Sequence, residues 1–443
     1  MKSSPAETVV RFLSFSGNRR DSFDAMEKFT PRQWKYVLQW LGDAGLAFYF
    51  LQRLKDERAS SSVPSFVLSR LEQNFACNRL RIEEMARRFD AINSKFNDAG
   101  VRYTVIKGFS LVPQFCPLAT LRHQADLDYL VDEQSLPAAC RLLTDAGYHS
   151  KISRSSKESI FIASAAEPSR SDVQYSPQAS HAVELHTEIW DHDMHGVHEV
   201  PKLFSIGQAR MQNWNGLTFP AQADEDAFLL QVLHACHHLF TQWIRISSLL
   251  EIGYFLQRRA SDSELWNRVE QRAGDSSVLR EFVVIITEMA ARLFAAPVPE
   301  VVQGWSASIR PAPRAWIDHY ARDWALGGLP VYEFCLFPRS KLALFLFHQY
   351  KSTSHVKELQ PHHRPAASRL SRMVSSIKEN PSLIWDYDWW RRQQLFRRSV
   401  FYILAELRYI AEIPRWRWLN RASPRTASSL PWPGNPYRSK KAS

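Results

Sequence analysis

Between residues 101 and 190 the hydrophobic pattern changes period, and that change limits the chain to folds in which a small sheet is embedded among helices. The segment 101–108, VRYTVIKG, is β-branched and alternating and reads as a strand; LDYLVD (127–132) reads as a second. Ser135 caps a helix through Ala146 that Gly147 closes, and YHSKIS, SIFIAS and HAVELHTEI (181–189) supply three more strand-like pieces. A polar Ser/Pro-rich stretch, 165–180, reads as a loop.

Helix surrounds this window. Residues 30–55 read as one helix, with Thr30 as N-cap, Pro31 in the first turn, and Trp34, Val37, Leu38 and Leu41 at helical spacing. A longer helix covers about 65–99, with Gly100 as a left-handed C-cap. Beyond Pro220 the period returns in DEDAFLLQVLHACHHLFTQW, ISSLLEIGYFLQR and SVLREFVVIITEMAARLFAA. The expected class is α+β: a small mixed sheet flanked by N- and C-terminal helical regions. At 443 residues the chain is divided as 1–100 helical, 101–200 α/β, 201–330 helical, 331–423 basic and Trp/Arg-rich, and 424–443 a disordered tail.

The five cysteines are widely spaced with no C-x-x-C pair, which argues against a disulfide framework or a cysteine-built zinc site. No stretch approaches the roughly 18 uncharged apolar residues of a membrane-crossing helix, and the N-terminus lacks a signal-peptide core. A cytoplasmic location is the expectation. The net charge of +11 is concentrated: residues 381–443 carry 12 Lys+Arg against 4 Asp+Glu. There Trp385, Trp389, Trp390, Trp416, Trp418 and Trp432 interleave with arginines. That pattern reads either as the core of a helical unit or as a peripheral contact with an anionic membrane or nucleic acid.

Asp126 and Asp128 are the sharpest chemical signal. Residues i and i+2 of a strand face the same way, so two carboxylates project from one face about 7 Å apart along the backbone. Such anions repel, and a divalent cation relieves the repulsion; the bland alternative is a solvated strand end. Upstream, VIKGFS (105–110) places a glycine between a strand and an expected helix, where backbone N–H groups can cradle phosphate. Downstream, VELH (183–186) adds Glu184 on another strand, with His186 two residues on. His186 suits a hydrogen-bonding role as well as a catalytic one. His234 and His238 share a helix face at i, i+4, a spacing that suits packing or hydrogen bonding into a cleft and, less well, zinc.

The order hydrophobic-Gly-x-Ser, Asp-hydrophobic-Asp, hydrophobic-Glu-hydrophobic resembles the polymerase-β-type nucleotidyltransferase superfamily. The phrasing IKGFSLVPQF, LRHQADLDYLVD, LLTDAGY, VELHTEIW and LLQVLHACHH is similar to an uncharacterised bacterial nucleotidyltransferase family over roughly residues 30–260. The resemblance implies that Asp126, Asp128 and Glu184 hold Mg²⁺ (or Mn²⁺), with Glu184 also helping to deprotonate the acceptor. It further implies that Gly108 and Ser110 contact the phosphates of an NTP donor such as ATP, and that Lys107 or Arg122 offsets their charge. Gly-Phe-Ser stands where the superfamily pattern has Gly-Ser or Gly-Gly, so the phosphate loop departs from it. The expected reaction is two-metal in-line transfer of NMP to a hydroxyl, phosphate or amine acceptor. The rival expectations are a noncatalytic nucleotide- or partner-binding module with the same fold, and a nucleic-acid-binding protein acting through its basic tail.

Overall fold

The switch from helix to strand and back takes shape as a seven-stranded mixed sheet with helices on both faces. The computed structural model describes residues 4–17, 19–151, 158–163, 175, 181–190, 209–241, 245–319, 321–326 and 414. Apart from residue 414, the basic Trp/Arg-rich region, the expected tail and their proposed surface contact lie outside the described residues. So does the expected loop 165–180, apart from Tyr175.

Helices α1 (Pro5–Leu13) and α2 (Arg19–Met26) open the chain. α3 (Pro31–Asp43) begins with a capping box in which Thr30 and Gln33 satisfy each other's backbone N–H groups, and Pro31 occupies the first turn. The single helix expected over 30–55 is two: α3 ends and α4 (Ala47–Asp56) starts afresh. The cause is Gly45, whose φ of +71° interrupts the helical path. A Cβ at Gly45 would also come within 2.6 Å of Ser247 Oγ, so the break lets two helical layers touch.

The 34-residue α5 (Ser65–Asp98) ends at Gly100, which is left-handed as expected. Next come β1 (Tyr103–Val105), β2 (Asp126–Val131), α6 (Leu136–Asp145), β3 (Tyr148–Lys151), β4 (Glu158–Ala163) and β5 (Ala182–His186). The segment after Gly108 is a four-residue 3₁₀ turn, Gly108–Leu111, instead of the helix anticipated there. Ser135 makes no side-chain cap on α6; its hydroxyl accepts from the Arg102 N–H at 3.2 Å instead.

A hairpin, β6 (Arg210–Trp214) and β7 (Leu217–Ala221), adds two strands that the alternation analysis passed over. Its turn is Asn215–Gly216, both at positive φ (48° and 82°), the conformation that favours tight hairpins. The sheet order is β3-β4-β5-β2-β1-β7-β6, with β2 parallel to β5, β1 parallel to β7 and the remaining pairs antiparallel. Helices α7 (Asp224–Thr241), α8 (Ser247–Arg259), α9 (Ser263–Ala273), α10 (Ser277–Phe294), α11 (Glu300–Ser308), α12 (Pro311–His319) and α13 (Ala321–Leu326) complete the described chain.

The period of two along β2 divides its side chains between two environments. Tyr129 faces α5, where its ring stacks on Phe89 (centroids 6.2 Å apart) and meets Phe96 edge-on (5.5 Å). Leu130 faces the other way, into a small cluster with Ile106 and Leu230 of α7. Asp126 and Asp128 share the Leu130 face. One core cluster runs from Ala6 to Ala325, and Arg322 pairs with Glu7 at 2.7 Å. The chain is α+β, and among the described residues no helix is long and apolar enough to cross a membrane.

Candidate active site

Parallel pairing of β2 with β5 turns two separate sequence motifs into one site. The register sets Asp128 opposite Glu184 and Leu130 opposite His186. Antiparallel pairing of β4 with β5 then sets Glu158 opposite His186. Four carboxylates and an imidazole therefore gather on three adjacent strands. His186 Nε2 lies 3.3 Å from Asp128 Oδ1 and 3.6 Å from Glu184 Oε2, while its Nδ1 is 3.8 Å from Glu158 Oε1. One ligand atom each from Asp128, Glu184 and His186 falls within a 4.8 Å group, a spacing suited to one metal ion. Asp126 lines the same cleft but is not a member of that close group.

Lys107, just beyond β1, extends its Nζ to Asp128 Oδ1 at 2.7 Å. The chain turns directly after it at Gly108, where φ is +65° and a Cβ would collide with Gln124 Nε2 at 2.3 Å. Gly108 thus allows the Lys107 turn to press against the segment leading into β2. Burial pushes the Asp128 carboxyl up, but Lys107 and His186 outweigh it and hold the group below the usual carboxylate range. For Asp126, burial and the neighbouring Asp128 and Glu184 push the other way, to about 7. Of the two aspartates, Asp128 keeps its charge and Asp126 is driven toward protonation. Burial works against the His186 cation, yet its contacts with Asp128 and Glu184 raise it to about 9.

The opposite wall is basic. The segment from Thr120 to Gln124 is fixed by buried side chains of α5: Asn78 Nδ2 donates to the carbonyls of Thr120 and Arg122, and Arg81 Nε to that of Gln124, all at 2.9 Å. Arg245 Nη1 donates to the His123 carbonyl at 3.0 Å. Arg122 Nε donates to Glu251 Oε1 at 2.8 Å. His234 and His238 set their Nε2 atoms 3.0 Å apart, and burial followed by the Lys107 charge keeps His234 neutral. Between the walls lies a cleft of about 390 Å³, within the range of small-molecule sites.

Nine of the residues singled out from the sequence line this cleft: Asp126, Asp128, Glu184, Lys107, Gly108, Arg122, His186, His234 and His238. The tenth, Ser110, lies off the cleft, its hydroxyl donating to the Lys107 carbonyl at 3.1 Å. Sequence reasoning passed over Glu158, Arg245 and Glu251, which also line it. Glu158 had a local signal, an acidic residue at the head of an alternating strand. Arg245 and Glu251 had none, because they reach the cleft through contacts more than a hundred residues away in sequence.

The clustered acids lie on interior strands of the sheet, and comparison with family models says which family carries this arrangement. The model described as uncharacterised nucleotidyltransferase matches residues 30–295, well over half of the 443, and the chain belongs to that family. No curated protein matches it.

Proposed function

We propose that the cleft transfers a nucleotidyl group from an NTP to a hydroxyl, phosphate or amine acceptor, with release of pyrophosphate. The observation that carries this reading is the register that brings Asp128 level with Glu184, two residues from Asp126 and from His186 respectively. The donor set fits a hard divalent cation. Asp128 Oδ2 is buried with no hydrogen-bond partner, a costly arrangement unless that oxygen serves as a ligand. Carboxylate oxygens suit Mg²⁺, and an imidazole in the group suits Mn²⁺ equally. Asp128, Glu184 and His186 would hold the ion, with Asp126 beside them for a second.

When bound, the metal supplies charge neutralisation for the attacking oxygen and for the phosphates of an in-line displacement. The protein's own groups do the rest. Lys107 exchanges Asp128 for a phosphate oxygen, and Arg122 offsets further triphosphate charge from the facing wall. Gly108 brings backbone close to the phosphates. Glu184, partly open to the cleft, takes the acceptor's proton as the acceptor heteroatom bonds to the α-phosphorus and the bond to the pyrophosphate oxygen breaks. A cytoplasmic setting, where NTP is plentiful, suits this donor.

The test is incubation of the protein with each α-labelled NTP, Mg²⁺ or Mn²⁺ and a metabolite extract. Label should enter a new product with wild type and not with Asp128→Asn. No labelled product with any NTP, or equal labelling by the variant, would overturn the reading.

A further inference from the structure

Arg122 is held at both ends. Its backbone carbonyl accepts from Asn78, and its side-chain Nε donates to Glu251 Oε1 at 2.8 Å. Glu251 comes from α8, is 4% exposed, and accepts a second hydrogen bond on the same oxygen from the Tyr49 hydroxyl of α4 at 2.9 Å. Among the described residues, Glu251 is the sole hydrogen-bond partner of the Arg122 guanidinium, and the Arg122 side chain lines the cleft with 20% of its surface exposed.

This geometry differs from that of an ion pair built for packing. Arg314, in α12, gives both Nη groups to the two oxygens of Glu288 in a closed fork. Arg122 gives Glu251 only the Nε and keeps the Nη end, the part of a guanidinium that grips two phosphate oxygens at once. Fixing that end beforehand removes the entropy that a free arginine would lose on binding.

We propose that Glu251, backed by Tyr49, is a positioning residue that presets Arg122 as an oligophosphate-binding arm on the cleft wall. The proposal rests on the transfer reading for its ligand, the triphosphate of a nucleotide. It assigns to two residues that touch no substrate a measurable share of the affinity.

The experiment is calorimetric binding of inorganic tripolyphosphate to the full chain, with melting curves recorded in parallel. Arg122→Lys keeps the charge but loses the fork and should bind about tenfold more weakly or worse. Glu251→Gln should weaken binding by about tenfold, and Tyr49→Phe, which removes one hydroxyl, by about threefold with an unchanged melt. Added guanidinium ion should restore binding to Arg122→Ala and fail to restore it to Arg122→Ala/Glu251→Gln. A structural role for Glu251 would not produce that difference.

Three results would each overturn the proposal: wild type that does not bind tripolyphosphate, Arg122→Lys or Tyr49→Phe that binds like wild type, or rescue that persists in the double variant. The two readings separate cleanly. Intact tripolyphosphate binding without label transfer sinks the transfer and leaves the arm; label transfer with unaltered binding in the variants does the reverse.

Discussion

Helix α10 and the β2–β5 strand pair both bury carboxylates, and the chain treats them in opposite ways. On α10, Glu288 accepts both Nη groups of Arg314 at 2.8 and 2.9 Å and also bonds Arg292 and the Ser306 hydroxyl; Glu281 is gripped twice by Arg310. In the cleft, Asp126, Asp128, Glu158 and Glu184 crowd around Lys107 and His186, and a buried oxygen of Asp128 has no partner. The α10 acids use up their bonding capacity inside the protein. The cleft acids keep some in reserve, which is what a site for an external cation requires and what stability alone would remove.

The largest expected effect is on chemistry. Asp128→Asn should lower labelled product formation on the order of a thousandfold, about 4 kcal/mol of barrier at 1.36 kcal/mol per tenfold. It should also cost some stability, since Lys107 and His186 lose their shared partner. Single-turnover rates and a denaturant melt on one preparation would measure both. A variant as active as wild type would remove the functional half of the contrast.

On α10 the expectation is reversed. Glu288→Gln removes the carboxylate that Arg314 and Arg292 share, leaving Arg292 with Asp318 and Arg314 with Ser306, and should destabilise by about 3 kcal/mol. Activity per folded molecule should not change. A melt indistinguishable from wild type would show that the closed ion pairs contribute nothing and that the two regions differ less than their geometry implies.

A third, somewhat smaller effect concerns the cation. At a hundredfold excess over its dissociation constant, Mn²⁺ or Mg²⁺ should raise stability by about 2.7 kcal/mol through mass action. The same addition to Asp128→Asn should give much less, and to Glu288→Gln the full increment. Thermal shifts at matched ionic strength would read this directly. Equal shifts in all three proteins would place the cation somewhere other than the β2–β5 carboxylates.

Much of this contrast is local in sequence, and the rest is not. Asp126 and Asp128 could be read because a strand repeats every two residues, and Glu184 because it sits within an apolar run. The helix α5 and its glycine terminus were equally plain. The parallel register that joins β2 to β5 is a property of strands more than fifty residues apart, and no periodicity encodes it. The same holds for Arg122 with Glu251. Other misses had a local signal that went unused. Gly45, inside an otherwise helical run, marked the break between α3 and α4, and Asn215–Gly216 marked the hairpin. The reading of Ser110 as a phosphate contact followed a motif, while the 3₁₀ turn engages its hydroxyl with the Lys107 carbonyl.

The smallest effect divides the two aspartates themselves. Burial, Asp128 and Glu184 all disfavour the Asp126 charge and push its carboxyl well above the usual carboxylate range, to about 7. A carboxyl raised in this way contributes stability that is fully present below its unfolded value and is lost as pH climbs through the folded one. At pH 8 the wild-type protein therefore carries a repelled anion that Asp126→Asn lacks. Asp126 is partly open to the cleft, so solvent screens the repulsion, and the variant should gain only about 1–2 kcal/mol there. The gain should shrink as pH falls from 8 toward 4, where wild-type Asp126 is protonated and equally uncharged. Asp128→Asn should show the opposite sign at neutral pH, since Lys107 and His186 favour that charge. Denaturant melts of both variants at pH 5 and pH 8 would settle the matter. Equal and pH-independent effects would mean that the two carboxylates are interchangeable, and that strand β2 does not distinguish a tethered anion from a crowded one.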